Sequence, residues 1–110
     1  MNKVKKHQEI CEKLNNIYDR KNSDYNDSFG KTFSEYGMAM PCIRLEDKLQ
    51  RLKSLTIHNK ERKVGDESIE DTLMDLANYA IMTLIEIESS KEGFERSLEK
   101  SFNRCKTSSL

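Results

Sequence analysis

Apolar residues recur three or four positions apart through most of the chain, which is the spacing of one face of an α-helix. The first stripe predicts a helix from about Lys3 to Arg20. A second stripe runs from Cys42 through Leu52 and predicts a helix that Pro41 opens in its first turn. The longest stripe, residues 68–88, covers more than half of a helix circumference, which suits the central helix of a bundle. Because strand-like alternation is absent from the sequence, we predict an all-α bundle of about four helices.

Turn-forming residues separate these stripes. The density of Asn, Asp and Ser in residues 21–30 predicts an irregular loop after the first helix, and a short helix is predicted from about Thr32 to Tyr36. Gly93 is predicted to end the long apolar helix, with a last weak helix after it. We therefore expect one helical domain over residues 1–105 and a frayed tail over residues 106–110.

Composition excludes several classes of protein. No stretch approaches the ~20 apolar residues that span a bilayer, and the N-terminus has no apolar signal-peptide core, so no membrane partner is expected. The 19 basic and 19 acidic residues cancel, which argues against bulk binding of nucleic acid. Three irregularly spaced cysteines contain no Cys-x-x-Cys pair, so we expect neither a zinc site nor a disulfide framework, and a cytoplasmic location.

The balanced net charge conceals two segments of opposite sign. Residues 44–65 carry seven basic and three acidic groups, whereas residues 66–88 carry seven acidic groups and neither Lys nor Arg. Within the acidic segment Glu67, Asp71 and Asp75 share one helical face without a counter-charge of their own. Two interpretations stay open: a solvated face that pairs with the basic helix, or a site for a cation or ligand.

Two segments resemble the motifs of the MazG-like all-α nucleotide pyrophosphohydrolases. Residues 72–80, Thr-Leu-Met-Asp-Leu-Ala-Asn-Tyr-Ala, resemble the second acidic motif of that family, which opens a long apolar helix. Residues 44–50, Arg-Leu-Glu-Asp-Lys-Leu-Gln, lie where the family has its first motif. Two departures are visible, since Gln50 replaces a carboxylate of the first motif and Thr72 replaces the Glu of the second.

A second resemblance covers roughly residues 15–88. Residues 21–29, 44–51 and 67–79 look like a small phage and bacterial family known as nucleotide modification associated domain 1. This resemblance implies nucleotide-related biology and a phage origin.

The MazG-like resemblance implies a chemistry for the acidic residues. In that family carboxylates on two facing helices hold Mg²⁺, which bridges a nucleoside triphosphate while an activated water releases pyrophosphate and a monophosphate. Glu46 and Asp75 match ligand positions of the family motifs, and Asp71 lies beside the substituted position 72. The predicted catalytic and metal-binding residues are Glu46, Asp71 and Asp75, with Glu67 as a further metal ligand.

Basic and aromatic residues near these acids are candidates for holding the nucleotide. Cations would grip phosphate oxygens, Tyr25 and Phe29 would stack on the base, and Asp24 would accept hydrogen bonds. The predicted nucleotide-binding residues are Lys21, Asp24, Tyr25, Phe29, Arg44, Lys48 and Arg51. The alternative is structural: the basic residues pair with the acidic helix, and the aromatics close one end of the bundle.

Three functions fit this pattern. The first is a Mg²⁺-dependent hydrolase that converts a nucleoside triphosphate, modified or not, to the monophosphate and pyrophosphate. The second is a phage protein that binds and sequesters a nucleotide or nucleotide signal without cleaving it, which the incomplete acidic set favours. The third is an oligomeric interaction protein, because a basic helix beside an acidic one is self-complementary in a two-fold homodimer.

Overall fold

The computed structural model describes the backbone of residues 1–57 and 67–108, and the side chains of residues 1–57, 68–92 and 99. These residues form four α-helices and no strand, which confirms the predicted all-α bundle. The helices are α1 (Lys3–Tyr25), α2 (Ser28–Tyr36), α3 (Ala39–Thr56) and α4 (Glu67–Ser108). None of the described helices combines the length and the apolar character needed to cross a membrane.

The first helix is longer than predicted, and the predicted loop over residues 21–30 is wrong. Helix α1 continues to Tyr25 because Asn26, in the left-handed conformation, closes its last turn by donating its backbone N–H to the carbonyl of Asn22. Asn tolerates that conformation better than most residues. The connection to α2 is therefore only two residues long, and the polar residues 21–25 present a helical face instead of a loop.

The two-residue turn is held by its own side chains. Asn26 and Asp27 both adopt positive φ angles, 51° and 54°, and the carboxylate of Asp27 accepts a hydrogen bond from the backbone N–H of Gly30 at 3.3 Å. A Cβ atom on Gly30 would lie 2.5 Å from Oδ2 of Asp27. Any larger residue at position 30 would therefore displace the Asp27 carboxylate, and Phe29, which follows the turn, stacks on Tyr79 of α4.

Replacing Asp27 with alanine is expected to lower the free energy of unfolding by about 1 kcal/mol, which is the typical contribution of a helix N-cap. The substitution removes the carboxylate that accepts the hydrogen bond from the backbone N–H of Gly30 at the start of α2. Urea denaturation measures the change, with Ser34→Ala as the control because Ser34 is exposed on the same helix. Equal stability of the two variants would contradict this description of the turn.

Helices α3 and α4 pack most extensively against each other, and the other two helices lie against this pair. The buried apolar core among the described side chains is small and draws on three helices. Its members are Leu14, Met40, Leu55 and Ile69. Thr72 and Thr83 of α4 are also buried, and each hydroxyl donates to a carbonyl one turn earlier in its own helix at 2.7 Å. Such bonds let a polar side chain enter the core without an unpaired hydroxyl.

The predicted break at Gly93 is also wrong. Helix α4 is continuous from Glu67 to Ser108 and passes through Gly93. A single glycine costs a helix only about 1 kcal/mol relative to alanine. Because many strong helix formers flank Gly93, one weak position does not end the helix.

Candidate functional site

A cleft of about 480 Å³ lies between the four helices. On α1 and on α4 its lining residues are spaced at i, i+3, i+4 and i+7, so each helix contributes one face. The residues that line the cleft are Tyr18, Lys21, Asn22, Tyr25, Ser28, Phe29, Thr32, Met40, Arg44, Asp75, Asn78, Tyr79 and Met82.

Asp75 is the centre of the charged part of the cleft. One carboxylate oxygen lies 3.0 Å from Nζ of Lys48 on α3, and the other lies 3.7 Å from Nζ of Lys21 on α1. The shorter pair is the more buried, since the side chain of Lys48 is 28% exposed and that of Lys21 is 58% exposed. Asp75 thus links three helices, and the basic segment does pair with the acidic one at this point.

This region keeps an excess of positive charge. Arg44 of α3 also lines the cleft. Together with Lys21 and Lys48 it makes three cationic side chains around the single carboxylate of Asp75. Both lysines share the carboxylate of Asp75, and Arg44 has no described carboxylate within ion-pair distance, which suits an anionic ligand.

Aromatic rings form one wall of the cleft. The rings of Phe29 and Tyr79 are stacked, with centroids 6.0 Å apart and planes inclined by 26°. Tyr25 also lines the cleft and is 68% exposed. The cleft therefore offers an apolar, polarisable surface beside its cationic one.

Asn78, which lines the cleft, joins α4 to α1. Its amide nitrogen donates a hydrogen bond to the backbone carbonyl of Leu14 at 3.2 Å. The two residues are 64 positions apart in the chain, and Leu14 is buried. This contact fixes the helix faces that carry Tyr18 and Tyr79, both of which line the cleft.

A second titratable group of residues lies beside Tyr18. Burial, reinforced by the carboxylates of Asp27 and then Glu86, raises the pKa of the Tyr18 phenol. Burial, with a further contribution from Asp27, raises the pKa of Glu86. Asp27 and Glu86 thus contribute negative charge in the surroundings of Tyr18, which lines the cleft.

The structure brings together part of the predicted site. Lys21, Tyr25, Phe29, Arg44 and Asp75 line the cleft, and Lys48 adjoins it through Asp75. The predicted residues that are exposed and do not line it are Asp24, Glu46, Arg51 and Asp71. The side chain of Glu67 lies outside the described residues.

Sequence reasoning missed Tyr18 and Asn22, and it assigned no ligand-binding role to Tyr79. The signal for the first two was present, because residues 18, 21, 22 and 25 have helical spacing. The expectation of a loop from residue 21 onward hid that spacing. Tyr79 lies in the segment that resembles a family motif, but its stacking partner could be found only in three dimensions.

The described side chains do not fit a three-carboxylate magnesium site. No cluster of three or more His, Cys, Asp or Glu residues suitable for a metal occurs among them. Thr72 occupies the position where the resembled motif has Glu, but it is only 2% exposed and its hydroxyl bonds to the carbonyl of Ser68. The carboxylate of Asp75 already faces two ammonium groups. Magnesium binding therefore stays a prediction.

Comparison with known protein families identifies one match. Residues 21–87 match the family described as nucleotide modification associated domain 1. The match spans more than half of the chain and includes every cleft residue except Tyr18, so the chain belongs to this family. Comparisons with curated proteins and with solved structures return no significant match. The MazG-like relationship and the phage origin stay predictions.

Proposed function

We propose that this member of the nucleotide modification associated domain 1 family binds a nucleotide in the cleft between its four helices. The observation that carries the proposal is the excess of positive charge around Asp75 beside the stacked rings of Phe29 and Tyr79. A nucleotide has the same two parts, an anionic phosphate and a flat base. The description of the family supports this choice of ligand.

The phosphate would bind at Lys21 and Arg44. Lys21 is the more exposed partner of Asp75 and makes the longer contact, so it can turn to a phosphate oxygen at little cost. Lys48 would keep Asp75 in place through the 3.0 Å contact. Arg44 adds a planar guanidinium group that can donate two parallel hydrogen bonds to one phosphate.

The base would lie against the aromatic wall. Stacking of a base on an aromatic side chain contributes about 1–3 kcal/mol and tolerates any base. Phe29 and Tyr79 already stack on each other, and Tyr25 at the exposed edge could cover the other face of the base. These contacts would bind nucleotides in general and would not select one base.

Binding without hydrolysis fits the described residues better than hydrolysis does. Among the described residues, Asp75 is the only one with a carboxylate that lines the cleft, and two lysines lie against that carboxylate. A general base needs a carboxylate that can accept a proton from water, and neighbouring positive charges oppose that transfer. Sequestration of a nucleotide is therefore the first candidate function, and hydrolysis is the second.

One experiment separates these two candidates. Purified protein is titrated calorimetrically with each nucleoside mono-, di- and triphosphate, once with Mg²⁺ and once with EDTA, and the ligand is then recovered and analysed chromatographically. We expect binding that persists in EDTA, with intact ligand. Pyrophosphate release in Mg²⁺ would establish the hydrolase instead, and a lack of binding under both conditions would overturn the proposed function.

We also propose that the protein forms a homodimer. Large apolar side chains are exposed along one face of α4, at Leu73, Ile81 and Leu84, and Leu49 is exposed on α3. We call these four residues the apolar face. Each is at least 42% exposed, and the α4 members are spaced to share one side of the helix. Contiguous exposed apolar side chains are typical of protein–protein interfaces.

Leu84→Glu is expected to convert the dimer to a monomer at micromolar concentration, because Leu84 is the most exposed residue of the apolar face and a carboxylate there would be buried in the interface without a partner. Light scattering coupled to gel filtration measures the mass. Val4→Glu is the control, since Val4 is 82% exposed near the start of α1. If the unsubstituted protein has the mass of a monomer in this measurement, the proposed homodimer is wrong.

A further inference from the structure

A histidine and a cysteine lie side by side on α1, outside the cleft. His7 and Cys11 are four residues apart in the helix, so their side chains share one face. The Sγ atom of Cys11 lies 3.7 Å from Nδ1 of His7. Both residues are exposed to solvent, and neither lines the cleft. The proposed nucleotide binding therefore leaves this pair of side chains unused.

The distance between the two atoms matches the distance between two ligands of one zinc ion. Zn²⁺ binds sulfur at about 2.3 Å and nitrogen at about 2.0–2.1 Å, in tetrahedral geometry. These bond lengths and the tetrahedral angle place a sulfur ligand and a nitrogen ligand about 3.6 Å apart. Since Sγ and Nδ1 are 3.7 Å apart, a zinc ion can bridge them with little movement of either side chain.

The chemistry of the two side chains suits the same class of ion. Thiolate and imidazole are ligands of zinc and of similar transition-metal ions, whereas Mg²⁺ prefers oxygen. The absence of a Cys-x-x-Cys pair argues against a closed four-ligand zinc site, but it has no bearing on a His and a Cys one helical turn apart. This pair supplies two ligands, and the described side chains form no group of three. The site is therefore an open one.

We propose that His7 and Cys11 bind one zinc ion on the surface of α1. The ion replaces the proton of the Cys11 thiol, which is released to solvent, and it bonds to Sγ and to Nδ1. Water molecules fill the other two positions of the tetrahedron. Cys11 also lines a shallow hollow with Glu12 and Asn15, whose oxygen atoms can accept hydrogen bonds from such waters. This inference does not depend on nucleotide binding, because the pair lies outside the cleft.

The test is a titration of the reduced protein with Co²⁺, which replaces Zn²⁺ and absorbs light. We expect a thiolate-to-cobalt charge-transfer band in the near ultraviolet that saturates at one equivalent and disappears when Zn²⁺ is added. Cys11→Ser should abolish this band. His7→Gln should weaken Zn²⁺ binding, measured against a chromophoric chelator, at least 10-fold. Loss of an outer-shell partner alone typically costs about 10- to 100-fold in metal affinity, and His7 is a direct ligand.

Cys42→Ser is the matched control. Cys42 is also exposed, but among the described residues its thiol has no histidine partner. This variant should keep both the charge-transfer band and the zinc affinity of the unsubstituted protein. Circular dichroism verifies that all three variants fold, which we expect because the substituted residues are exposed. The proposal is overturned if the unsubstituted protein gives no band, if the band persists in Cys11→Ser, or if His7→Gln binds zinc with unchanged affinity.

Discussion

Replacing Arg44 with alanine is expected to weaken nucleotide binding about 10- to 100-fold. A hydrogen bond to a charged group contributes about 1.5–3 kcal/mol, and a guanidinium group can make two such bonds to one phosphate. Arg44 lines the cleft and takes part in no ion pair with a described residue. Its removal should therefore reduce affinity with little change in stability. Calorimetric titration with a nucleotide that binds the unsubstituted protein measures the effect.

Arg20→Ala is the matched control for this variant. Arg20 is exposed on α1 and does not line the cleft, although it is adjacent in sequence to Lys21. The substitution removes the same charge from the protein, so it reports the effect of net charge alone. Equal losses of affinity in the two variants would show that Arg44 acts through long-range charge, and would contradict direct contact with phosphate.

Replacing Tyr79 with leucine should weaken binding by about 1–3 kcal/mol, or roughly 5- to 150-fold, because the base would lose an aromatic stacking surface. Leucine retains apolar bulk in the wall of the cleft and removes the ring that stacks on Phe29. The loss should be similar for all bases, since stacking does not depend on hydrogen-bonding groups. The same titration measures it, and denaturation shows whether stability is retained.

The control for Tyr79 is Tyr36→Leu. Tyr36 is 64% exposed at the end of α2 and does not line the cleft. We expect this variant to bind as the unsubstituted protein does. If Tyr79→Leu binds nucleotide as tightly as the unsubstituted protein, the base does not stack on the aromatic wall. Only the cationic part of the proposed site would then remain.

The helical fold was predictable because apolar spacing over long segments identifies a helix almost independently of its neighbours. The ends of the helices were less predictable. The continuation of α1 through Tyr25 depends on the left-handed conformation of Asn26, which a run of polar residues does not reveal. The passage of α4 through Gly93 shows that a single glycine is a weak terminator within a strong helical context.

The candidate site was predictable in part, for a geometric reason. Periodicity identifies which side of a helix a residue occupies, so Asp71 and Asp75 were correctly assigned to neighbouring positions one turn apart. It does not identify the level along the axis at which another helix approaches. Only Asp75 lies at the level of Lys21 and Lys48, while Asp71 is exposed.

The charge pattern left two interpretations of the acidic helix open, namely pairing with the basic helix or a site for a cation or ligand. The contact between Asp75 and Lys48 confirms pairing with the basic helix at that position. The contribution of Lys21 could not be derived from the charge totals, because it lies in a third segment. The excess of positive charge that makes this region a candidate phosphate site therefore emerges only when α1 is packed against α4.

The most direct test of nucleotide binding in this cleft is a titration of ¹⁵N-labelled protein followed by NMR. Addition of a nucleoside monophosphate should shift amide resonances from all four helices, centred on Lys21, Phe29, Arg44 and Tyr79. Residues near the start of α1, such as Val4, should not shift. Shifts confined to the apolar face, or no shifts at millimolar ligand, would contradict the proposal that this cleft is a nucleotide site.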